Sequence, residues 1–208
     1  MWGIIWRSLL VSGVSTVLGC VIGIPVGAAI GLRRFRGKRG VVAALNVGMS
    51  LPPVVVGLVV YLLLSRSGPL GFMRLLFSIP AMVVAQTILA GPLIGALTLS
   101  AVESVDRRAR VVALSLGASQ VRATLTLLGE ARFAVGAAVM AGFGAVISEV
   151  GAVMIVGGNI AWHTRVMTTA IVLETGKGNF DVALALGVIL LLIAFIVNFS
   201  LGFLQRWR

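Results

Sequence analysis

Five long apolar runs, residues 4–32, 41–64, 78–102, 133–157 and 180–204, constrain this chain more than any motif in it. A helix rises about 1.5 Å per residue, so about 20 apolar residues cross a hydrocarbon core of about 30 Å. Lipid cannot pair with backbone N–H and C=O groups, and a helix satisfies them within one segment. The expected fold is an all-α integral membrane protein of about five transmembrane helices, one transmembrane domain over residues 1–208. Only 11% of the residues are charged, against roughly 25% in soluble domains. The first run starts almost at Met1 and has no cleavage site after a short apolar core, so it reads as a retained helix.

A net charge of +11 would suggest nucleic acid in a soluble protein, but here the basic residues gather in short loops between apolar runs. That pattern is a topology signal, and no nucleic-acid partner is expected. With loop 33–39 inside, five crossings put residues 103–132 and the C-terminus in the cytoplasm and the N-terminus outside. Arg33, Arg34, Arg36, Lys38, Arg39, Arg107, Arg108, Arg110, Arg122, Arg132, Arg206 and Arg208 then lie inside. Arg7, Arg66, Arg74, Arg165 and Lys177 lie outside, and the ratio of twelve to five favours this orientation. Residues 166–173 are too short to span, so 160–179 reads as an external helix lying on the surface.

Ser15, Gly19, Gly23, Gly27 and Gly31 recur every four residues and give the first run one small-residue face. A moving gate and simple close packing both fit that face. Pro25 is expected to bend the same run. In the second run Pro52 and Pro53 remove backbone donors, so a bent or unwound helix start is expected there. Broken helices line pathways in some transporters, and a purely structural kink has the same signature.

Six acidic residues and one histidine form no acid–base pair, metal set or nucleophilic triad. Glu103 and Asp106 stand among arginines, and His163 has no second ligand at metal spacing. The lone Cys20 excludes an internal disulfide and a multi-cysteine metal site. No glycine-rich phosphate loop is present, so ATP is not expected on this chain. Glu149 differs, because a carboxylate within a membrane span is a functional candidate by default. The alternative is a structural pairing with an arginine or with backbone donors of a broken neighbouring helix. A negative charge repels anions, so with an anionic cargo Glu149 would order a gate or a dimer interface.

In the cytoplasmic stretch 103–132, Val105, Ala109, Val112 and Leu116 fall on one helical face. Gly117 is placed to end that helix in a left-handed cap, and Ser119 to cap the next one. A compact helix-turn-helix knob is expected, with a helix flat on the membrane as the other reading.

Residues 110–119, Arg-Val-Val-Ala-Leu-Ser-Leu-Gly-Ala-Ser, resemble the EAA loop of ABC importer permeases. In that family a Glu-Ala-Ala triplet and a glycine further on dock into a groove of the ATPase. Val111 holds the glutamate position, Val112 and Ala113 the alanines and Gly117 the glycine; Leu128 and Gly129 stand where the family has Leu-Pro. The stretches LPPVVVG (51–57), IPAMVVAQTILAGP (79–92) and SEVGAVMIVGGN (148–159) resemble molybdate and tungstate permeases, and TRVMTTAIVLET (164–175) resembles the tungstate branch.

The resemblance implies a type I ABC importer permease-like fold in the cytoplasmic (inner) membrane of a prokaryote. It implies a homodimer enclosing a pathway, two copies of an ABC ATPase subunit inside and an extracytoplasmic oxyanion-binding protein outside. ATP and magnesium would sit on the ATPase, and the chain itself would catalyse nothing. Tungstate is the implied cargo, with molybdate, sulfate or another small solute as alternatives. A membrane enzyme and an ATPase-independent channel are the readings from other classes. Arg110, Val111, Val112, Ala113, Gly117, Ala118 and Ser119 would couple to the ATPase. Pro52, Pro53, Glu149 and Thr168 would belong to the pathway or gate, and Asn159, His163 and Arg165 would meet the binding protein.

Overall fold

A computed structural model describes residues 1–33, 35–106, 112 and 114–206; the side chains of Asn198 and of residues 201–206 are not part of that description. The helices are α1 (Trp2–Leu32), α2 (Lys38–Met49), α3 (Pro53–Leu64), α4 (Ile79–Glu103), α5 (Gln120–Glu130), α6 (Arg132–Ile147), α7 (Gly151–Gly157), α8 (Met167–Gly176) and α9 (Phe180–Arg206), with a 3-10 turn at Gly71–Met73. No strand occurs among the described residues. Trp2–Leu32, Ile79–Glu103 and Phe180–Val197 are each long and apolar enough to span, and the bent pairs α2–α3 and α5–α6 raise the total to as many as five.

Two of the apolar runs are broken, the second where its prolines lead one to expect it and the fourth without such a sign. Pro52 and Pro53 lack the amides a continuing helix needs, and α2 meets α3 at 93°. The fourth run ends its first helix at Ile147 and restarts at Gly151, where no proline acts. Pro25, by contrast, sits inside α1, which stays one helix to Leu32.

The small-residue face of α1 packs along α4, the two helices running parallel. A Cβ on Gly23 would lie 2.6 Å from the Gly91 carbonyl oxygen, and one on Gly27 would collide with the Gly95 carbonyl oxygen. Ser15 lies in the same seam, where its hydroxyl donates to Val11 O and Val83 O. Helices in lipid gain little from hydrophobic burial, and close backbone approach supplies the dispersion contacts instead. The stripe is therefore a packing surface within one chain. The opposite face of α1 (Val14, Val17, Val21) and much of α9 (Leu184, Val188, Leu191, Phe195) expose apolar side chains, as a lipid solvent requires.

Side-chain bonds hold the two ends of the bundle. At one, Lys38 Nζ donates to Gly31 O at 3.1 Å and pairs with Glu103 at 2.9 Å. At the other, Arg7 Nε donates to Arg165 O at 3.0 Å and Arg7 Nη1 to Trp162 O at 3.2 Å. Helix α8 is too short to cross, as expected, but it does not lie free on the surface. Met167 and Ala170 are buried with Leu186 of α9, and Ser8 Oγ of α1 accepts from Met167 N at 2.7 Å. At its far end the Asn179 amide, followed by Lys177, holds the Glu174 carboxyl below the usual carboxylate range.

Candidate functional site

The two breaks meet. A Cβ on Gly57 of α3 would lie 2.6 Å from Ala152 Cα of α7, and one on Gly151 would lie 2.6 Å from Val54 Cγ2. The start of α3, set by Pro52 and Pro53, thus seats directly on the start of α7, and only glycines admit that approach.

Glu149 lies in the second break and is 7% exposed. Its Oε1 accepts from Ala152 N at 2.8 Å and its Oε2 from Val153 N at 3.0 Å. Both amides belong to the start of α7 and would otherwise be unpaired in a water-free layer. A carboxylate there also meets the positive end of the helix dipole. Of the two structural pairings weighed from sequence, backbone donors are the one found, although they belong to the residue's own chain segment rather than to a neighbouring helix. The carboxylate is turned onto backbone and orders the break.

Thr168 is tied to Glu149. Its Oγ1 donates to Glu149 O at 2.9 Å, which fastens α8 to the break. On the other side Gln86 Nε2 of α4 donates to Val146 O at 2.7 Å, a carbonyl at the end of α6 that also accepts from Glu149 N at 3.3 Å. Gln86 escaped the sequence reading, yet the signal was there: a buried amide in the middle of an apolar span needs a partner. Its Oε1 is buried and has no hydrogen-bond partner among the described residues. One side-chain bond from α4 and one from α8 therefore reach residues 146–153, where two more join Glu149 to the start of α7.

Asn159, His163 and Arg165 lie together in the loop between α7 and α8. Arg165 Nε donates to Asn159 Oδ1 at 3.1 Å and Arg165 Nη2 to Asn159 O at 3.2 Å. Thr164 Oγ1 donates to Gly157 O and accepts from Ile160 N. Asn159 and Arg165 thus knot the loop onto itself, while His163 is exposed. No cluster of three metal-ligating side chains occurs among the described residues.

In the 103–132 stretch Gly117 has φ +82°, the left-handed cap its position predicts. Ser119 caps α5, its Oγ accepting from Arg122 N at 3.3 Å, and Ala118 lies between them. Val112 and Leu116 project into solvent at 55% and 82% exposure. Arg110, Val111 and Ala113 lie outside the described residues.

Residues 23–208 match the family described as binding-protein-dependent transport system inner membrane component. A tungstate uptake system permease from Peptoclostridium acidaminophilum is 41% identical over 206 residues, 99% of this chain and 90% of that protein. Its counterpart from Campylobacter jejuni is 42% identical over 96% of this chain and 83% of its own. A probable anion ABC transporter permease from Haloferax volcanii is 46% identical over 92% and 84%. Among solved structures, a chain of the MetNI methionine ABC transporter shares the fold with a TM-score of 0.81 at 20% identity, covering 99% of this chain and 96% of that one.

Proposed function

The chain belongs to the family of binding-protein-dependent transport system inner membrane components, and from that premise we propose that it is the permease subunit of an ATP-driven importer of tungstate. The near full-length likeness to two tungstate uptake permeases carries this reading. The exposed Val112, the turn at 114–119 and the fastened break at 146–153 supply a mechanism for it.

Two copies of the chain enclose the pathway, with the basic loops and residues 103–132 facing the cytoplasm of a prokaryotic cell and the 158–166 loop facing outward. Two ATPase subunits, which hold ATP and magnesium, receive the knobs, with Val112 and Leu116 as the apolar contacts. Val111 stands where the family resemblance expects a glutamate, so this docking relies less on a polar contact. ATPase closure draws the knobs together, and α5 passes the displacement to α6 through their 74° bend. The far end of α6 is residue Ile147, where Gln86, Glu149 and Thr168 hold the two pieces of the broken span in register. Pro52 and Pro53 supply the facing break.

Gly117→Val is expected to lower ATPase stimulation severalfold with membrane insertion intact. A β-branched residue at φ +82° is strained by roughly 1–2 kcal/mol, although its Cβ would meet nothing within 4 Å. Wild-type stimulation in that variant would remove the knob from the coupling path.

The direct test reconstitutes permease and ATPase and measures ATP hydrolysis with the binding protein loaded in turn with tungstate, molybdate and sulfate. Strongest stimulation by tungstate is expected. Equal or stronger stimulation by another anion would replace the cargo, and failure to assemble with an ATPase would overturn the importer.

A further inference from the structure

An importer fed by a binding protein needs an outer landing surface, and the distribution of unpaired charge locates one away from the 158–166 loop. Arg7, Arg66, Arg74, Arg165 and Lys177 are the cations of the proposed outer end. Arg7 and Arg165 are bonded within the loop knot, and Lys177 pairs with Glu174 at 3.0 Å. Arg66 and Arg74 are exposed, and their guanidinium groups make no hydrogen bond or ion pair among the described residues. Both border an open cavity of about 1270 Å³ between the end of α3 and the start of α4, which Tyr61, Ser65, Phe72 and Phe77 also line.

The loop carrying them is built rather than slack. Gly68 N donates to Ser65 O at 2.8 Å, Leu70 N to Leu63 O at 2.9 Å and Arg74 N to Gly71 O at 3.1 Å. Arg74 and Phe77 hold left-handed backbone at φ 51° and 61°, a strain that persists only where surrounding structure enforces it. Phe72, at 79% exposure, stands on the 3-10 turn between the two arginines. The loop is also tied to the broken span: Phe77 N donates to Val156 O at 2.9 Å, and the Phe77 ring lies where a Cβ on Gly158 would be 2.8 Å away. Pressure on the loop therefore reaches α7, the helix whose start Glu149 caps.

We propose that residues 65–77 form the docking surface for an acidic face of the extracytoplasmic binding protein, with Arg66 and Arg74 as the charge contacts and Phe72 as the anchor. This inference rests on the importer reading and its orientation. Arginine and aromatic side chains are the residues that dominate protein interfaces. Two unpaired guanidinium groups attract a carboxylate-rich surface and fix its orientation. Preorganisation by the loop's own bonds lowers the ordering cost of docking.

The test uses the full permease–ATPase complex in phosphatidylcholine nanodiscs and measures binding of the tungstate-loaded binding protein with and without added salt. Arg66→Glu with Arg74→Glu is expected to weaken binding by at least about tenfold and to flatten its salt dependence, while Arg66→Gln with Arg74→Gln should weaken it less. Both side chains are exposed and bond nothing among the described residues, so the melting temperature should be unchanged. Unchanged affinity and salt dependence in the charge-reversed variant would overturn the docking surface while leaving the importer intact. So would a loss that appears only in nanodiscs containing phosphatidylglycerol, which would assign the arginines to lipid headgroups. Stimulation of the wild type by free tungstate that the variant loses would assign them to the oxyanion itself. A wild-type complex that neither binds nor responds to the loaded binding protein would overturn the importer reading and this inference together.

Discussion

Leucine at Gly27 is expected to abolish the folded bundle. Overpacking a core costs about 1–3 kcal/mol when side chains can shift, but here the first added carbon already collides with the Gly95 carbonyl oxygen and lies 3.0 Å from Leu99 N. Both obstacles are backbone of α4, so relief requires the whole helix to move away from α1. That movement would also pull apart the contact at Gly23 and the Ser15 bond to Val83, removing the dispersion contacts that hold the pair in lipid. The measurement is thermal unfolding of the detergent-purified protein, with Gly91→Ala as the comparison. A Cβ on Gly91 would meet nothing within 4 Å although the residue lies in the same seam. Loss of the cooperative transition in Gly27→Leu, with Gly91→Ala close to wild type, is the expected pair of results. A wild-type melting curve for Gly27→Leu would show that α1 and α4 do not pack through this face.

Alanine at Glu149 is expected to lower tungstate uptake by at least about tenfold while leaving membrane insertion unchanged. The change strips the acceptors from Ala152 N and Val153 N. An unsatisfied buried donor costs about 1–3 kcal/mol, and about 1.4 kcal/mol already corresponds to tenfold in an equilibrium. The penalty falls on the start of α7, so the position of that helix against Val54 and Gly57 is what loosens. Glutamine should be intermediate, since it keeps one acceptor but turns an amide N–H₂ toward a backbone donor. Aspartate is shorter by one methylene and should retain more activity than alanine. Uptake assays in cells, normalised to permease in the membrane fraction, separate these cases. Wild-type uptake by both Glu149→Ala and Glu149→Gln would mean that the break holds without the carboxylate.

Solvent preference and local geometry made much of the candidate site legible in advance. Gly117 needs only its neighbours to terminate a helix, and Ser119 needs only the amide of Arg122, so both caps followed from position along the chain. Pro52 and Pro53 break the second run because neither can donate, whatever surrounds them. The fourth run gave no such sign: its break follows from a carboxylate competing for the amides of Ala152 and Val153, and an intramembrane glutamate can equally pair with an arginine elsewhere. Gln86 was overlooked because a single amide among apolar residues does not say which carbonyl it reaches.

Features that depend on residues one at a time or a few apart were readable along the chain: the apolar spans, the separation of basic loops, the helix caps and the small-residue stripe. Lipid and water sort side chains independently of which helices later become neighbours. Features that depend on distant partners came from the packing of the helices. That packing placed the stripe of α1 against Gly91 and Gly95, seated α3 on α7 through Gly57 and Ala152, and joined Thr168 to Glu149 across nineteen residues. It also consumed Arg7 and Arg165 in internal bonds and left Arg66 and Arg74 open. A hydrogen bond or a steric contact is satisfied by whichever group lies within a few ångströms, and that group is chosen by helix packing rather than by sequence spacing.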